Sequence, residues 1–339
     1  MKILVFATGG TIGSSCADKV IDLSNDTKKL RVLEQYNERY GDCHFDVCRP
    51  LNILSENLEL KDWEILVNAI RHTDIKSYDG LIVTHGSDTL SYTSAMLGLC
   101  LCDLPLPLVI TASNYVPDEP KSNALINIRC AVKVIESFSR GIFSVFCDDS
   151  SHAVYLPTRL CEAERCLDCF SSFERQCFAD FQNDRLILNR GDYMPSKADI
   201  EKEHQSPLQG DLSLKKRVLM LYPYPGMDYR MISIGNDVGA VLHILYHSAT
   251  AKSDGDNSIL TLAEQCRTKK IPLFCASFKD LQAARYASSV KFIQKGVLPL
   301  YALSDESAYA KLLLACNQNR VSCAEFMQKD IYFETVQRV

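Results

Sequence analysis

Three short segments of this 339-residue chain combine glycines with hydroxyl and carboxylate groups. Thr8–Gly13 places two threonines among glycines, which allow the backbone to approach a ligand closely. His85–Thr89 holds two hydroxyls and one carboxylate, and Thr111–Asn114 is followed by Lys121–Ala124 at the start of a predicted helix. Such groups can bind a polar ligand, and a hydroxyl that a neighbouring base activates can act as a nucleophile.

Taken one at a time, these segments have several interpretations. A Gly-Gly-Thr sequence is also typical of a tight turn followed by a threonine helix cap. The first segment matches neither the P-loop nor the dinucleotide-binding pattern, and no lysine closes it, which argues against a phosphate site. A serine hydrolase elbow would need glycine where His85 and Thr89 stand. The segments therefore indicate a polar site without fixing its reaction.

Each segment follows a short apolar run of the kind that forms a buried parallel strand. Helical spacing separates these runs, for example over residues 60–70 and 126–135. Repetition of strand, loop and helix predicts an α/β fold whose larger N-terminal part is a doubly wound parallel sheet. Ligands bind beyond the carboxyl ends of such strands, where the three segments lie. The predicted strands are Ile3–Ala7, Gly80–Thr84, Pro107–Thr111 and Gly141–Cys147.

A second, smaller α/β unit is predicted towards the C-terminus. Residues 189–216 are polar and charged, contain prolines and glycines, and have no sustained period, as is typical of a linker. We therefore expect a catalytic α/β domain at 1–188, a linker at 189–216 and a C-terminal α/β domain at 217–339. The predicted elements of the last domain are strands Arg217–Tyr222, Val238–Tyr246 and Ile271–Ser277 and helices Ile259–Lys269, Leu281–Gln294 and Ser304–Asn317.

The composition is that of an ordinary globular protein, with 47% hydrophobic and 23% charged residues. A net charge of -5 argues against nucleic acid as a partner. No apolar run approaches the roughly 18 residues of a membrane helix, and Ile3–Ala7 is too short for a signal-peptide core. The fifteen unevenly spaced cysteines favour reduced thiols over a disulfide framework. We expect a cytoplasmic protein that binds a small molecule and neither nucleic acid nor membrane.

Taken together and in order, the segments resemble the asparaginase family, especially its cytoplasmic bacterial type I branch. The resemblance implies a two-domain asparaginase-like fold and a dimer or tetramer of identical chains. It implies hydrolysis of a small amino-acid amide, L-asparagine, to L-aspartate and ammonia, without a metal or organic cofactor. The matching stretches are Thr8–Gly13, Leu54–Leu58, Thr84–Thr89 and Thr111–Asn127, with fainter similarity at Tyr224–Gly226 and Leu303–Glu306.

The resemblance also implies catalytic roles for particular residues. Thr11 matches the first catalytic threonine of the family, the expected nucleophile. Its hydroxyl would attack the amide carbon, ammonia would leave, and water would release the acyl-enzyme. Ser87 stands where the family has its second catalytic threonine, and Asp88 matches the aspartate of the same loop.

Substrate contacts follow from the same match. Asp88 resembles the clamp on the α-amino group, while Ser55 and Glu56 match positions that hold the α-carboxylate and the amine. Backbone N–H groups around Gly86 and Ala112 are expected to stabilise the oxyanion, because donors fixed in advance of the reaction stabilise developing charge.

The chain departs from the family pattern at three places. The family has a lysine near residues 155–161, where this chain offers Arg159, which stays protonated and cannot act as a base. The segment Ser14–Leu23 lacks the tyrosine that helps to activate the nucleophile. Ser87 lacks the methyl group that restricts a threonine rotamer. Weak, altered or absent turnover is therefore one reading of the sequence.

A metal cluster is a competing interpretation of part of the chain. Cys161, Cys166 and Cys169 have the spacing of plant-type iron–sulfur ligands, with Cys177 as a conceivable fourth. A spacing match alone is a weak signal in a cysteine-rich chain. We expect no metal.

Three functions thus remain open. The first is an amidohydrolase acting on asparagine or a related small amide. The second is a catalytically weakened protein that binds an amino acid through Ser55, Glu56 and Asp88. The third is an amidase subunit that supplies ammonia to a partner enzyme. The sequence does not separate asparagine from glutamine, since one methylene changes binding by only about 1–3 kcal/mol.

Overall fold

The computed structural model describes residues 1–17, 20–23, 30–149, 151–278, 285–318 and 320–336. Its contacts divide the chain into two compact units, Met1–Leu212 and Ser213–Val339. Residues 189–212, most of the predicted linker, belong to the first unit. The first part of the predicted helix Leu281–Gln294, residues 281–284, lies outside the described residues.

A mixed sheet of eight strands forms the centre of the first unit. The strands of this unit are β1 (Lys2–Ala7), β2 (Ser14–Ala17), β3 (Val20–Leu23), β4 (His44–Cys48), β5 (Gly80–Thr84), β6 (Pro107–Thr111), β7 (Gly141–Cys147), β8 (His152–Tyr155), β9 (Ala179–Gln182) and β10 (Arg185–Leu188). The order across the sheet is β10-β9-β8-β7-β6-β5-β1-β4. Strands β4, β1, β5, β6 and β7 are parallel, and β8, β9 and β10 continue the sheet as antiparallel strands. β2 and β3 form a separate antiparallel pair.

Helices connect the parallel strands. They are α1 (Arg31–Arg39), α2 (Leu60–His72), α3 (Leu90–Leu101) and α4 (Ala124–Ser137), followed after β10 by the short α5 (Lys197–Ile200). α3 has no polar face turned to solvent, and eleven of its twelve residues are buried, as expected for a helix inside a large core. Gly98 lets a later turn approach it, because a Cβ there would lie 2.9 Å from the Pro157 side chain. Every residue of β5, β6 and β7 is buried, which confirms the doubly wound α/β prediction.

The second unit is built on a four-stranded parallel sheet. Its strands, in sheet order, are β11 (Arg217–Leu221), β12 (Val238–Ile244), β13 (Leu273–Phe278) and β14 (Leu298–Tyr301), and its helices are α6 (Ile259–Lys269), α7 (Ala287–Gln294), α8 (Asp305–Asn317) and α9 (Cys323–Met327). The sequence did not predict β14, which has four residues and contains Pro299. Proline is tolerated there because β14 is an edge strand. None of the described helices is long and apolar enough to cross a membrane.

Candidate active site

The three polar segments lie at one edge of the large sheet. β1, β5 and β6 are adjacent and parallel, and their last residues pair in register, Ala7 with Thr84 and Thr84 with Thr111. The loops that follow these strands therefore start level with one another. This is the edge at which open parallel sheets bind ligands.

The first loop is held against its neighbours through backbone contacts. Gly9 and Gly10 have positive φ angles of 108° and 74°. A Cβ on Gly9 would lie 2.3 Å from the Ile53 carbonyl oxygen, and one on Gly10 would lie 2.5 Å from the Gly86 nitrogen. Both glycines are needed because a side chain would meet backbone in a conformation that L residues rarely adopt. Thr11 opens the 3-10 turn that follows and is partly exposed.

A buried threonine fixes the start of this loop. The backbone nitrogen and the hydroxyl of Thr8 both donate to the Thr84 carbonyl, at 3.1 and 2.9 Å. Thr8 belongs to the first polar segment, but no separate role was predicted for it, although a threonine directly after a buried strand is a usable signal for such a contact. Two donors on one acceptor tie the end of β1 to the end of β5.

The second loop packs on the segment that carries Ser55. A Cβ on Gly86 would lie 2.3 Å from the Ser55 hydroxyl oxygen, so the two residues are in direct contact. The Thr89 hydroxyl donates to the Ser55 carbonyl at 3.0 Å. Ser55 is 5% exposed, whereas the neighbouring Glu56 is exposed. The serine is therefore fixed in the loop packing, and the carboxylate of Glu56 is accessible to a ligand.

Ser87 and Asp88 lie at the entrance to α3. They form a 3-10 turn with Thr89, and the backbone nitrogen of Leu90 donates to the Ser87 carbonyl. Ser87 is half-buried and Asp88 is exposed. The N-terminus of a helix carries partial positive charge and free N–H groups, which favour an anion or a developing oxyanion beside it.

Two asparagines of α4 and its cap support the third loop. The side-chain nitrogen of Asn127 donates to the Ala112 carbonyl at 2.8 Å, and its oxygen accepts from the Cys147 nitrogen at 2.7 Å. Asn123 donates to the Cys147 carbonyl and accepts from the Asn114 nitrogen. Ala112 and Asn127 are fully buried. Both asparagines lie in segments that the sequence had singled out, Lys121–Ala124 and Thr111–Asn127, but no role was predicted for either.

A model of the family described as Asparaginase, N-terminal, matches residues 2–193, more than half of the chain. The chain belongs to the asparaginase family. The sequence resemblance is thereby confirmed, and the protein is an amidohydrolase of that family. Superposition on solved asparaginases over the whole chain confirms the predicted two-domain asparaginase-like fold.

Curated relatives and solved structures agree with this membership. An L-asparaginase of Thermococcus kodakarensis is 25% identical over 94% of each chain. A D-type subunit of the glutamyl-tRNA(Gln) amidotransferase of Methanosphaera stadtmanae is 24% identical over 94% of this chain and 72% of its own length. The solved thermostable L-asparaginase of T. kodakarensis superposes with a TM-score of 0.81 at 24% identity and full coverage of both chains. L-asparaginase I of Vibrio cholerae gives 0.76 at 18% identity over 99% of each chain.

Arg159, the residue that the sequence offers near the lysine position of the asparaginase family, is buried away from the three loops. It ends a 3-10 turn after β8, and its side chain is 4% exposed. The guanidinium forms an ion pair with Glu174, whose side chain is 13% exposed, and donates to the Tyr193 carbonyl at 2.8 Å. Because β8 is antiparallel to β7, the chain moves away from the edge with the three loops as it approaches Arg159. The catalytic role of Arg159 stays a prediction, and its observed partners are those of a structural ion pair.

The segment that follows Arg159 returns to the loop edge. The side-chain nitrogen of Asn114 donates to the Asp168 carbonyl at 3.3 Å, and the Tyr115 hydroxyl donates to the Asp168 carboxylate at 3.5 Å. The cysteines Cys161, Cys166 and Cys169 lie in this segment, and Cys166 is exposed. Over the described residues, no three ligating side chains are grouped closely enough to hold a metal ion.

Proposed function

We propose that this protein hydrolyses the side-chain amide of L-asparagine to give L-aspartate and ammonia, with Thr11 as the nucleophile. The contact between the first two loops carries the proposal. Gly10 and Gly86 touch through their backbones, and each is next to a residue with a hydroxyl, Thr11 and Ser87. Two hydroxyls on adjoining loops at the ligand-binding edge suit nucleophilic attack on an amide.

The reaction would proceed in two steps. The Thr11 hydroxyl oxygen attacks the amide carbon, the C–N bond breaks, and the nitrogen leaves as ammonia after taking up the hydroxyl proton. Water then cleaves the resulting ester, which frees aspartate and restores the threonine hydroxyl. Backbone N–H groups around Gly86 and Ala112, together with the start of α3, would stabilise the oxyanion in each step.

The substrate zwitterion needs a carboxylate for its α-amino group and donors for its α-carboxylate. We propose Asp88 for the amino group and Ser55 and Glu56 for the remaining contacts. The exposure of Asp88 and Glu56 at this edge supports the assignment, because both carboxylates are accessible to a ligand. We further propose that the protein works in the cytoplasm as a dimer or tetramer of identical chains and needs no cofactor.

The amidotransferase relatives favour a second candidate, an amidase that supplies ammonia to a partner enzyme. Several amidotransferase subunits of the D type match over most of this chain at 22–24% identity.

Ammonia release by the purified protein tests these candidates. We expect release from asparagine and slower release from glutamine, with Thr11→Ala as the background control. Binding of aspartate in a calorimeter without release from either amide would reject the hydrolase and support an amino-acid-binding protein. Release that begins only after a partner is added would support the second candidate.

A further inference from the structure

A buried hydrogen-bond network lies behind the second loop. We call it the His85 network, formed by Trp63 of α2, Thr93 of α3, His85 and the carbonyl of Gly86. Trp63 Nε1 donates to Thr93 Oγ1 at 3.0 Å, Thr93 Oγ1 lies 3.1 Å from His85 Nε2, and His85 Nδ1 lies 2.9 Å from the Gly86 oxygen. The three side chains are no more than 4% exposed.

The two terminal groups of the network, the Trp63 indole N–H and the Gly86 carbonyl, determine where each proton lies. The indole N–H of Trp63 only donates, so the Thr93 oxygen accepts from it, and the Thr93 hydroxyl proton is directed to His85 Nε2. The Gly86 carbonyl only accepts, so His85 Nδ1 must carry the ring proton. Burial lowers the pKa of His85 to about 4, which keeps the ring neutral near pH 7. The hydrogen bonds at its two nitrogens then select this tautomer.

The network ends on the peptide that joins Gly86 to Ser87. A peptide unit is planar, so holding its carbonyl oxygen also fixes the direction of the Ser87 N–H. The backbone nitrogen of His85 donates to the Thr111 carbonyl at 2.8 Å, which anchors the other side of the same residue. His85 therefore holds both its own backbone and the next peptide in place.

We propose that His85 is a positioning residue whose network with Trp63 and Thr93 fixes the Gly86–Ser87 peptide, and with it the direction of the Ser87 N–H, beside the substrate amide that Thr11 attacks. The inference rests on the proposed amide hydrolysis for its catalytic part. The network itself is a structural claim that does not depend on turnover.

The tautomer of His85 is measured first. Nitrogen NMR of the protein with isotope-labelled histidine, with the resonance assigned by its loss in His85→Gln, should show a neutral ring protonated at Nδ1. Protonation at Nε2, or at both nitrogens near neutral pH, would overturn the network whether or not the protein is an enzyme.

Kinetics of Thr93 variants test the positioning role. Thr93→Val keeps the volume but removes the hydroxyl, and we expect kcat on asparagine to fall about 10- to 100-fold with little change in KM. Thr93→Ser restores the hydroxyl and should restore most of kcat. The matched control is Ser94→Ala, the next residue of α3, which is also buried but accepts a hydrogen bond from Ser144 instead. It should lower stability and leave kcat and KM nearly unchanged.

Equal effects of Thr93→Val and Ser94→Ala on kcat, or failure of Thr93→Ser to restore it, would reject the positioning role. A wild-type protein without turnover would reject the proposed hydrolysis. In that event the affinity of Thr93→Val for aspartate decides, because a displaced Gly86–Ser87 peptide should weaken binding at the adjoining Asp88, and unchanged affinity would reject the inference.

Discussion

Single glycines set the geometry of the site where backbones from different loops touch. Gly86→Ala would put a Cβ 2.3 Å from the Ser55 hydroxyl oxygen and 2.6 Å from its Cβ, and Ser55 is buried. We expect asparagine turnover to fall at least about 10-fold, because small displacements of reacting groups are costly. Gly13→Ala is the control in the neighbouring loop, since the nearest atom to its added Cβ is Leu30 Cδ2 at 3.5 Å, an ordinary contact. Similar rates for the two variants would show that this contact does not control the site.

The hydroxyl of Thr11 is the proposed nucleophile of the site. Thr11→Ala should lower kcat by at least about 1,000-fold, because removal of a nucleophile leaves only binding and oxyanion stabilisation. The partly exposed position of Thr11 predicts that the variant folds normally, which circular dichroism would verify. Thr11→Ser keeps a hydroxyl and should retain measurable turnover. Substantial activity in Thr11→Ala would move the nucleophile to another residue.

The carboxylate of Asp88 is expected to bind the α-amino group of the substrate. Asp88→Asn should weaken aspartate binding at least about 30-fold, equivalent to about 2 kcal/mol, because the amino group loses its charged partner. Calorimetric titration measures this directly, and Asp118→Asn, at another exposed aspartate, serves as the control. Equal affinity in the wild type and Asp88→Asn would place the amino group elsewhere.

At the scale of elements, the Arg159–Glu174 ion pair joins the turn after β8 to the segment that follows it. Arg159→Met removes the guanidinium from the Glu174 carboxylate, which has little exposure, and we expect it to lower the free energy of unfolding by about 3–5 kcal/mol. Arg159→Met combined with Glu174→Met should recover most of that loss, since an apolar pair can replace a buried ion pair. Urea denaturation measures both variants.

The same double variant tests whether Arg159 also takes part in catalysis. If the ion pair is only structural, the stable double variant keeps wild-type turnover of asparagine. A double variant that is stable but has lost turnover would restore the catalytic prediction for Arg159. Failure of the second substitution to recover stability would show that Arg159 stabilises the fold through contacts other than Glu174, such as the Tyr193 carbonyl.

At the scale of the whole molecule, each unit buries a neutral histidine. Burial lowers the pKa of His85 and of His243 to about 4, from an ordinary value of 6.5. His243 also lies 2.8 Å from the Tyr229 hydroxyl through its Nε2. The unfolded chain therefore binds these protons near pH 6.5, while the folded chain binds them only near pH 4.

Stability should consequently fall as the pH drops from about 6.5 to about 4, by up to roughly 3 kcal/mol for each histidine. Urea denaturation midpoints at several pH values across this range measure the slope of stability against pH. His243→Gln should flatten it, and the exposed His247 provides the control variant His247→Gln, which should leave it unchanged. A slope that is the same in all three proteins would contradict neutral burial of His243.

Much of the fold, and the sheet edge at which the candidate site lies, could be predicted from the sequence alone. β1, β5, β6 and β7 are continuous apolar runs because they are buried on both faces, and that property is visible in neighbouring residues. The polar segments after β1, β5 and β6 predicted the ligand-binding edge, because ligands bind beyond the carboxyl ends of parallel strands. The antiparallel strands β8, β9 and β10 gave no such signal, because they are short and β10 is largely exposed.

Tertiary structure alone decided which groups meet. The contacts of Gly10 with Gly86, Asn127 with Ala112 and Arg159 with Glu174 join residues from 15 to 76 positions apart. The adjacency of β1 and β5 brings Gly10 to Gly86, and no local pattern of side chains encodes that strand order. The packing of α4 on the loop after β6 and the folding back of the segment after β8 bring the other two pairs together. The sequence thus determined the residue types at the site edge, and strand order with buried packing determined the partners of each, including the ion pair of Arg159 and the His85 network.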